Sequence, residues 1–186
     1  YLPYFISVVI VCGIIADFTA SDGVITDLIV RLGGERINYL GQPEYFRTIY
    51  VLSDMWQGIG FNSIIYLAAL SGIDQGLYEA AALDGANRWK QTLHVTLPGI
   101  ASTIIILLIL RMGSMFAVGY EKIILLYSTN TFETADVISS YVYRKGLQEF
   151  NYSYSTAVGL FNSLINTTLL VLSNKLSRKF SDTSLF

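Results

Sequence analysis

Apolar residues along this chain gather into four long runs separated by polar segments, and the length of the runs sets their meaning. Crossing about 30 Å of hydrocarbon takes roughly 20 helical residues at 1.5 Å of rise each. That ruler places spans at about 1–18, 54–72, 100–119 and 153–173. The predicted fold class is therefore all-α: a polytopic transmembrane helical bundle of four spans, forming a single domain over residues 1–186. The chain opens at Tyr1, already inside an apolar run and without a basic leader, so it reads neither as a signal peptide nor as a natural start.

The segments between spans have patterns of their own. After Ser21, the residues Val24, Ile25, Leu28, Ile29 and Leu32 recur at helical spacing, Asp27 and Arg31 stand as an i,i+4 pair, and Gly33 with Gly34 stops the turn. A second such segment has Thr134 as a cap, with Val137, Ile138, Tyr141 and Val142 on one face and an end near Gly146. Between the second and third spans, residues 72–99 form a polar insert with a helical signature of its own. Asp74 is placed to cap a helix through Leu83, Asp84 and Gly85 supply a sharp turn, and a second short helix runs from about Asn87 to His94 before Pro98 ends it. Ala80, Ala81 and Ala82 keep the first helix slim, and Gly85 permits either a backbone conformation or a close approach that a Cβ would hinder.

Composition agrees with a membrane setting: 53% apolar residues leave only 14% charged ones, and the mean hydropathy is +0.50. A net charge of -2 without any dense Lys/Arg block gives no case for nucleic acid. The single cysteine, Cys12, lies in an apolar run and reads as a small packed hydrophobe. Basic residues nearly balance between the two sides of the bundle. Lys175, Arg178 and Lys179, directly after the last span, favour placing the 72–99 insert and the C-terminus inside.

Polar residues inside the spans are the next informative set, because amides and charges in lipid normally face protein or water. Ser155, Gly159, Asn162, Ser163 and Asn166 share one face of the last span, and Gly58, Asn62 and Tyr66 share one face of the second. They serve either interhelical packing or a translocation path, with Asn62, Tyr66, Asn162 and Asn166 as the path candidates. Arg111, in the third span, must pair, snorkel or face an aqueous cavity. The sequence shows no Gly-rich phosphate loop, no paired metal ligands and no nucleophile with a base, so neither an enzymatic site nor a cofactor is expected.

The insert EAAALDGANRWKQTLHVTLP resembles the cytoplasmic coupling loop of the membrane subunits of binding-protein-dependent ABC importers, whose signature runs Glu-Ala-Ala, three residues, Gly, nine residues, Ile, one residue, Leu-Pro. Glu79, Ala80, Ala81, Gly85, Leu97 and Pro98 fall in register, and Val95 replaces the Ile. The phrases DGANR and ADVISSYVYRKGL are similar to the maltose-type carbohydrate-uptake branch. The resemblance implies a permease subunit forming half of a pore for a sugar, particularly an oligosaccharide, in a bacterial or archaeal plasma membrane. It implies a second permease subunit, two cytoplasmic ATPase subunits that Glu79 would help to engage, and an extracytoplasmic solute-binding protein. It also implies two further spans before the first one here. A peptide, polyamine or other cargo, or a non-transporting membrane anchor, stays open.

Overall fold

The structure is a computed structural model that describes residues 1–116 and 118–180; Ala117, within the expected third span, and 181–186, the end of the expected domain, lie outside the described residues. The described residues are helical or irregular, and the order of helices is α1 (Val8–Thr19), α2 (Val24–Arg31), α3 (Pro43–Ser71), α4 (Gln75–Leu83), α5 (Arg88–Gln91), α6 (Leu97–Gly99), α7 (Ala101–Gly113), α8 (Tyr120–Leu126), α9 (Phe132–Ala135), α10 (Ile138–Tyr143) and α11 (Tyr152–Phe180). A 3-10 turn at Leu2–Phe5 precedes α1, and π-helical turns at Thr92–Thr96 and Arg144–Gln148 follow α5 and α10.

Two compact units divide the chain: Tyr1–Gly60 with Ala117–Asn162, and Phe61–Phe116 with Ser163–Phe186. In the first, α1 packs on α2 and α8, and α8 on α10. Val11, Cys12, Ile15, Leu40, Phe46, Leu126 and Ala135 form its buried apolar core. Lys122 is buried in the same unit, with Nζ 3.5 Å from Asp54 Oδ1 and 5.4 Å from the centre of the Tyr50 ring. In the second, α4, α5 and the Thr92–Thr96 turn pack on one another, and α6 leads into α7.

Length and composition qualify Val8–Arg31 and Tyr152–Arg178 as membrane-crossing stretches, and a third if Arg88–Gly99 and Ala101–Gly113, bent by 59°, count as one broken span. The last expected span, 153–173, lies within Tyr152–Arg178, whereas the first, 1–18, overlaps its candidate only over 8–18, and that candidate takes in α2, which the sequence places between spans. The expected span at 54–72 lies within α3 but is not among the candidates, since Asp54, Gln57 and Asn62 dilute its hydropathy. The expected third span is interrupted: α7 stops at Gly113, and helix resumes only at Tyr120. None of the most apolar window of Tyr152–Arg178 is buried inside the chain. Its surface must be covered by lipid or by other protein.

Three expectations for the polar segments change. Asp27 does not pair with Arg31; its Oδ1 accepts from Arg36 Nη2 at 2.6 Å, because Arg36 is also anchored by donating to the Ser21 carbonyl at 2.9 Å. Thr134 does not begin the helix of the second such segment. It sits inside α9, and α10 starts after Val137, whose N–H donates to Ser140 Oγ at 2.9 Å. Gly146 is buried within the π turn rather than ending the helix; a Cβ there would lie 2.5 Å from Ser155 Oγ.

Candidate functional site

The 72–99 insert folds as two short helices whose ends are closed by their own side chains. Asp74 Oδ1 accepts from Gly76 N–H at 2.9 Å and starts α4; Asn87 Oδ1 accepts from Lys90 N–H at 3.0 Å and starts α5. The end of α4 is closed by backbone. Ala86 N–H donates to Ala81 O at 2.9 Å and Gly85 N–H to Ala82 O at 3.0 Å, the paired bonds of a Schellman motif, with Asp84 as the C-cap. Gly85 supplies the left-handed residue this motif needs, at φ +77°, and a Cβ there would meet nothing within 4 Å. Of the two reasons offered for a glycine, backbone conformation is the one this chain requires.

Two hydrogen bonds brace the insert, one from α4 to the π turn after α5 and one from α5 to the turn before it. Tyr78 and Thr96 hydroxyls lie 2.9 Å apart, and Gln91 Nε2 donates to the Ala86 carbonyl at 3.2 Å. Pro98 does not end the second helix as the sequence suggests. A missing N–H is harmless in a first helical turn, and Pro98 occupies that place in α6, so the chain continues through the π turn and bends into α7. His94 is exposed and its Nδ1 sits 3.1 Å from the Lys90 carbonyl.

Glu79, Ala80, Asp84, Gly85, Leu97 and Pro98 are all exposed and Ala81 is half-buried, so the residues singled out from sequence share one accessible loop. Large apolar side chains stand out on the same loop: Leu83 is 90% exposed and Trp89 73%, values that leave each of them almost uncovered by this chain. Burying two such groups against a partner would contribute on the order of 3–6 kcal/mol. Their exposure was not used in the sequence reading, though Trp89 in a charged stretch is a visible signal.

The span candidates divide. Asn62 and Tyr66 lie on α3 with exposed side chains. Asn166 Oδ1 accepts from Phe116 N–H at 3.2 Å, which supplies a partner for backbone released where α7 ends. Asn162 is half-buried on α11. Ser155 donates to the Val142 carbonyl at 2.9 Å and packs on Gly146, a helix-packing role.

A cluster beside α9 and α10 was missed by sequence. Arg144 forks onto Asp136 at 2.7 and 3.3 Å while lying 4.4 Å over the Phe132 ring, and Ser140 donates to the same carboxylate at 2.6 Å. Partial burial works against the Asp136 carboxylate, but the Arg144 and Ser140 bonds outweigh it and hold its pKa below the ordinary value.

These features define an α-helical membrane subunit that presents an exposed, internally braced helical loop. Residues 2–182 match the family described as binding-protein-dependent transport system inner membrane component, and the chain belongs to that family. It is 43% identical over 187 residues to the polygalacturonan/rhamnogalacturonan transport system permease protein YteP of Bacillus subtilis (strain 168), covering 100% of this chain and 58% of that protein. It is similar in structure, with a TM-score of 0.95 and 46% identity over 100% of this chain and 65% of the other, to a chain in the crystal structure of a bacterial alginate ABC transporter in complex with alginate pentasaccharide-bound periplasmic protein. A second crystal structure, of a bacterial ABC transporter involved in the import of the acidic polysaccharide alginate, matches with a TM-score of 0.93 and 47% identity over 96% of this chain and 63% of the other. The chain spans about three-fifths of the length of these relatives.

Proposed function

We propose that the chain is the C-terminal part of a permease subunit in an ATP-driven carbohydrate importer, one domain that forms half of a translocation pore. The observation that carries this reading is the braced loop, which carries Glu79, Ala80, Asp84, Gly85, Leu97 and Pro98 exposed and Ala81 half-buried on a chain of this transport family. A knob tied by the Tyr78 and Thr96 hydroxyls and by Gln91 moves as a unit. A partner that grips it therefore moves α7, to which it is joined by a helical bend.

In this arrangement four spans cross a bacterial inner membrane, with α3 as the fourth and the knob and C-terminus on the cytoplasmic side. The knob meets one of two ATPase subunits, which hydrolyse the ATP. A second permease subunit completes the pore, and an extracytoplasmic binding protein delivers the cargo. ATP-driven closure of the ATPases swings the spans between inward-facing and outward-facing states. An oligosaccharide cargo is supported by the relatives named above, and Asn62, Tyr66 and Asn162 offer amide and aromatic groups of the kind that hold sugars.

Reconstitution of the full-length subunit with its partners in proteoliposomes tests the proposal. ATP hydrolysis should rise when binding protein and oligosaccharide are both added. No stimulation by sugar, with stimulation by a peptide or polyamine, would move the cargo to another class; no cargo-dependent stimulation at all would leave a membrane anchor.

A further inference from the structure

Arg111 lies in the last turn of α7, about 15 Å along the helix from Ala101 at 1.5 Å per residue, which is half the thickness of about 30 Å of hydrocarbon. Its side chain is exposed, and among the described residues its guanidinium makes neither an ion pair nor a side-chain hydrogen bond. Arg36, Lys122, Arg144 and Lys145 pair with carboxylates; Arg88 and Lys90 of the insert, like Arg111, make no ion pair among the described residues, but Arg111 differs from them in standing on the apolar helix α7. The negative end of the α7 dipole favours a cation here.

Two features say that the medium facing Arg111 is not lipid. A guanidinium at that depth is costly in hydrocarbon and ordinarily faces protein or an aqueous cavity. Helical backbone also ends two residues later, at Gly113, and irregular backbone at membrane depth is tolerated only where it is buried or lines water. Part of that break is satisfied by Asn166, which accepts from the Phe116 N–H. Discontinuous spans of this kind sit at the cargo sites of transporters.

The geometry points to Arg111 as a carboxylate-reading residue of the translocation path, so that the cargo is an acidic oligosaccharide whose uronate groups the guanidinium binds in fork geometry. This rests on the carbohydrate-importer reading above and adds to it the charge of the sugar and the residue that senses it. No bond to the cargo is made or broken; the carboxylate exchanges water for guanidinium donors as it passes.

The test uses the full-length subunit assembled with its partner permease, ATPases and binding protein in proteoliposomes, with trigalacturonate and its neutral methyl ester as probes. Capture of each sugar by the binding protein is measured separately, so that uptake can be expressed per delivered molecule. Arg111→Gln should lower trigalacturonate uptake about tenfold or more, against less than about threefold for the ester, and Arg111→Lys should restore part of the acid uptake. Equal losses for both sugars, no change in either, or failure of Arg111→Gln to assemble would each overturn the inference, the last by showing that a protein partner uses the charge. If the wild-type complex takes up neither sugar nor any other carbohydrate, the importer reading falls and takes this one with it. Sugar uptake that persists with no charge preference defeats the inference alone.

Discussion

Replacing Gly85 separates backbone conformation from bulk. The residue sits at φ +77°, two backbone bonds of the α4 cap depend on that conformation, and a side chain there would project into open space. Substitution therefore brings no clash within the chain, and its effect comes from forcing an L residue into the left-handed region. That costs roughly 1–2 kcal/mol for Ala, less for Asn, whose short polar side chain tolerates the region, and more for a β-branched Val. A shift of 1–2 kcal/mol changes the fraction of correctly closed knob by about 5- to 30-fold. Uptake in cells and retention of the ATPase subunits on purification should fall in the order Gly85→Asn, Gly85→Ala, Gly85→Val, while the thermal transition of the bundle barely moves because the loop is exposed. If a gripping partner instead needed the space, Asn would be worse than Ala because it is larger. That inverted order, or full uptake by the Val variant, would refute the conformational argument.

Asn166→Ala removes the bond to the Phe116 N–H and should destabilise the subunit by about 0.5–1.5 kcal/mol, read as a lower thermal transition in detergent. Tyr66→Ala should instead leave that transition near its parent value while uptake falls or the preference between sugars changes; a matching loss of stability would assign Tyr66 to packing. Asp136 has a folded pKa below its unfolded value of about 3.9, so its contribution is fully present above that value and is lost as pH falls through and below it. Protection factors of residues 132–148, exchange rates corrected for the intrinsic rate at each pH, should fall as pH drops below about 3.9 in the parent, and Asp136→Asn should flatten that dependence. An unchanged profile in the variant would remove the Arg144 pair as its cause.

What the sequence made legible was what neighbouring residues decide. Asp74, Asn87 and Gly85 act within a few residues of themselves, and the structure finds each where turn and cap chemistry place it. Errors arose where a distant group competes. Arg36 displaces Arg31 from Asp27 because it gains a second anchor on the Ser21 carbonyl, which no i,i+4 rule contains. The start of α10 is set by Ser140 reaching back to Val137, not by Thr134. An apolar run from 100 to 119 gave no warning that helix would stop at Gly113, because hydropathy measures partition and is blind to backbone path. The polarity of Asn166 in a span is visible in the sequence, where it fits packing or path alike; its backbone partner, 50 residues away, is not.

The 59° bend between the knob and α7 makes this part of the chain a bell-crank. If the two helices were collinear, a push on the knob would slide α7 along its own axis and leave the width of the span unchanged. Across a bend, the same push has a component perpendicular to α7 and arrives as rotation. α7 has 13 residues, an arm of about 20 Å, so a tilt of about 10° sweeps its far end sideways by roughly 3 to 4 Å. That displacement exceeds the width of a water molecule, about 2.8 Å. It occurs at the end that carries Arg111, so a small stroke delivered at the loop would be read out as a change in aperture beside the charge.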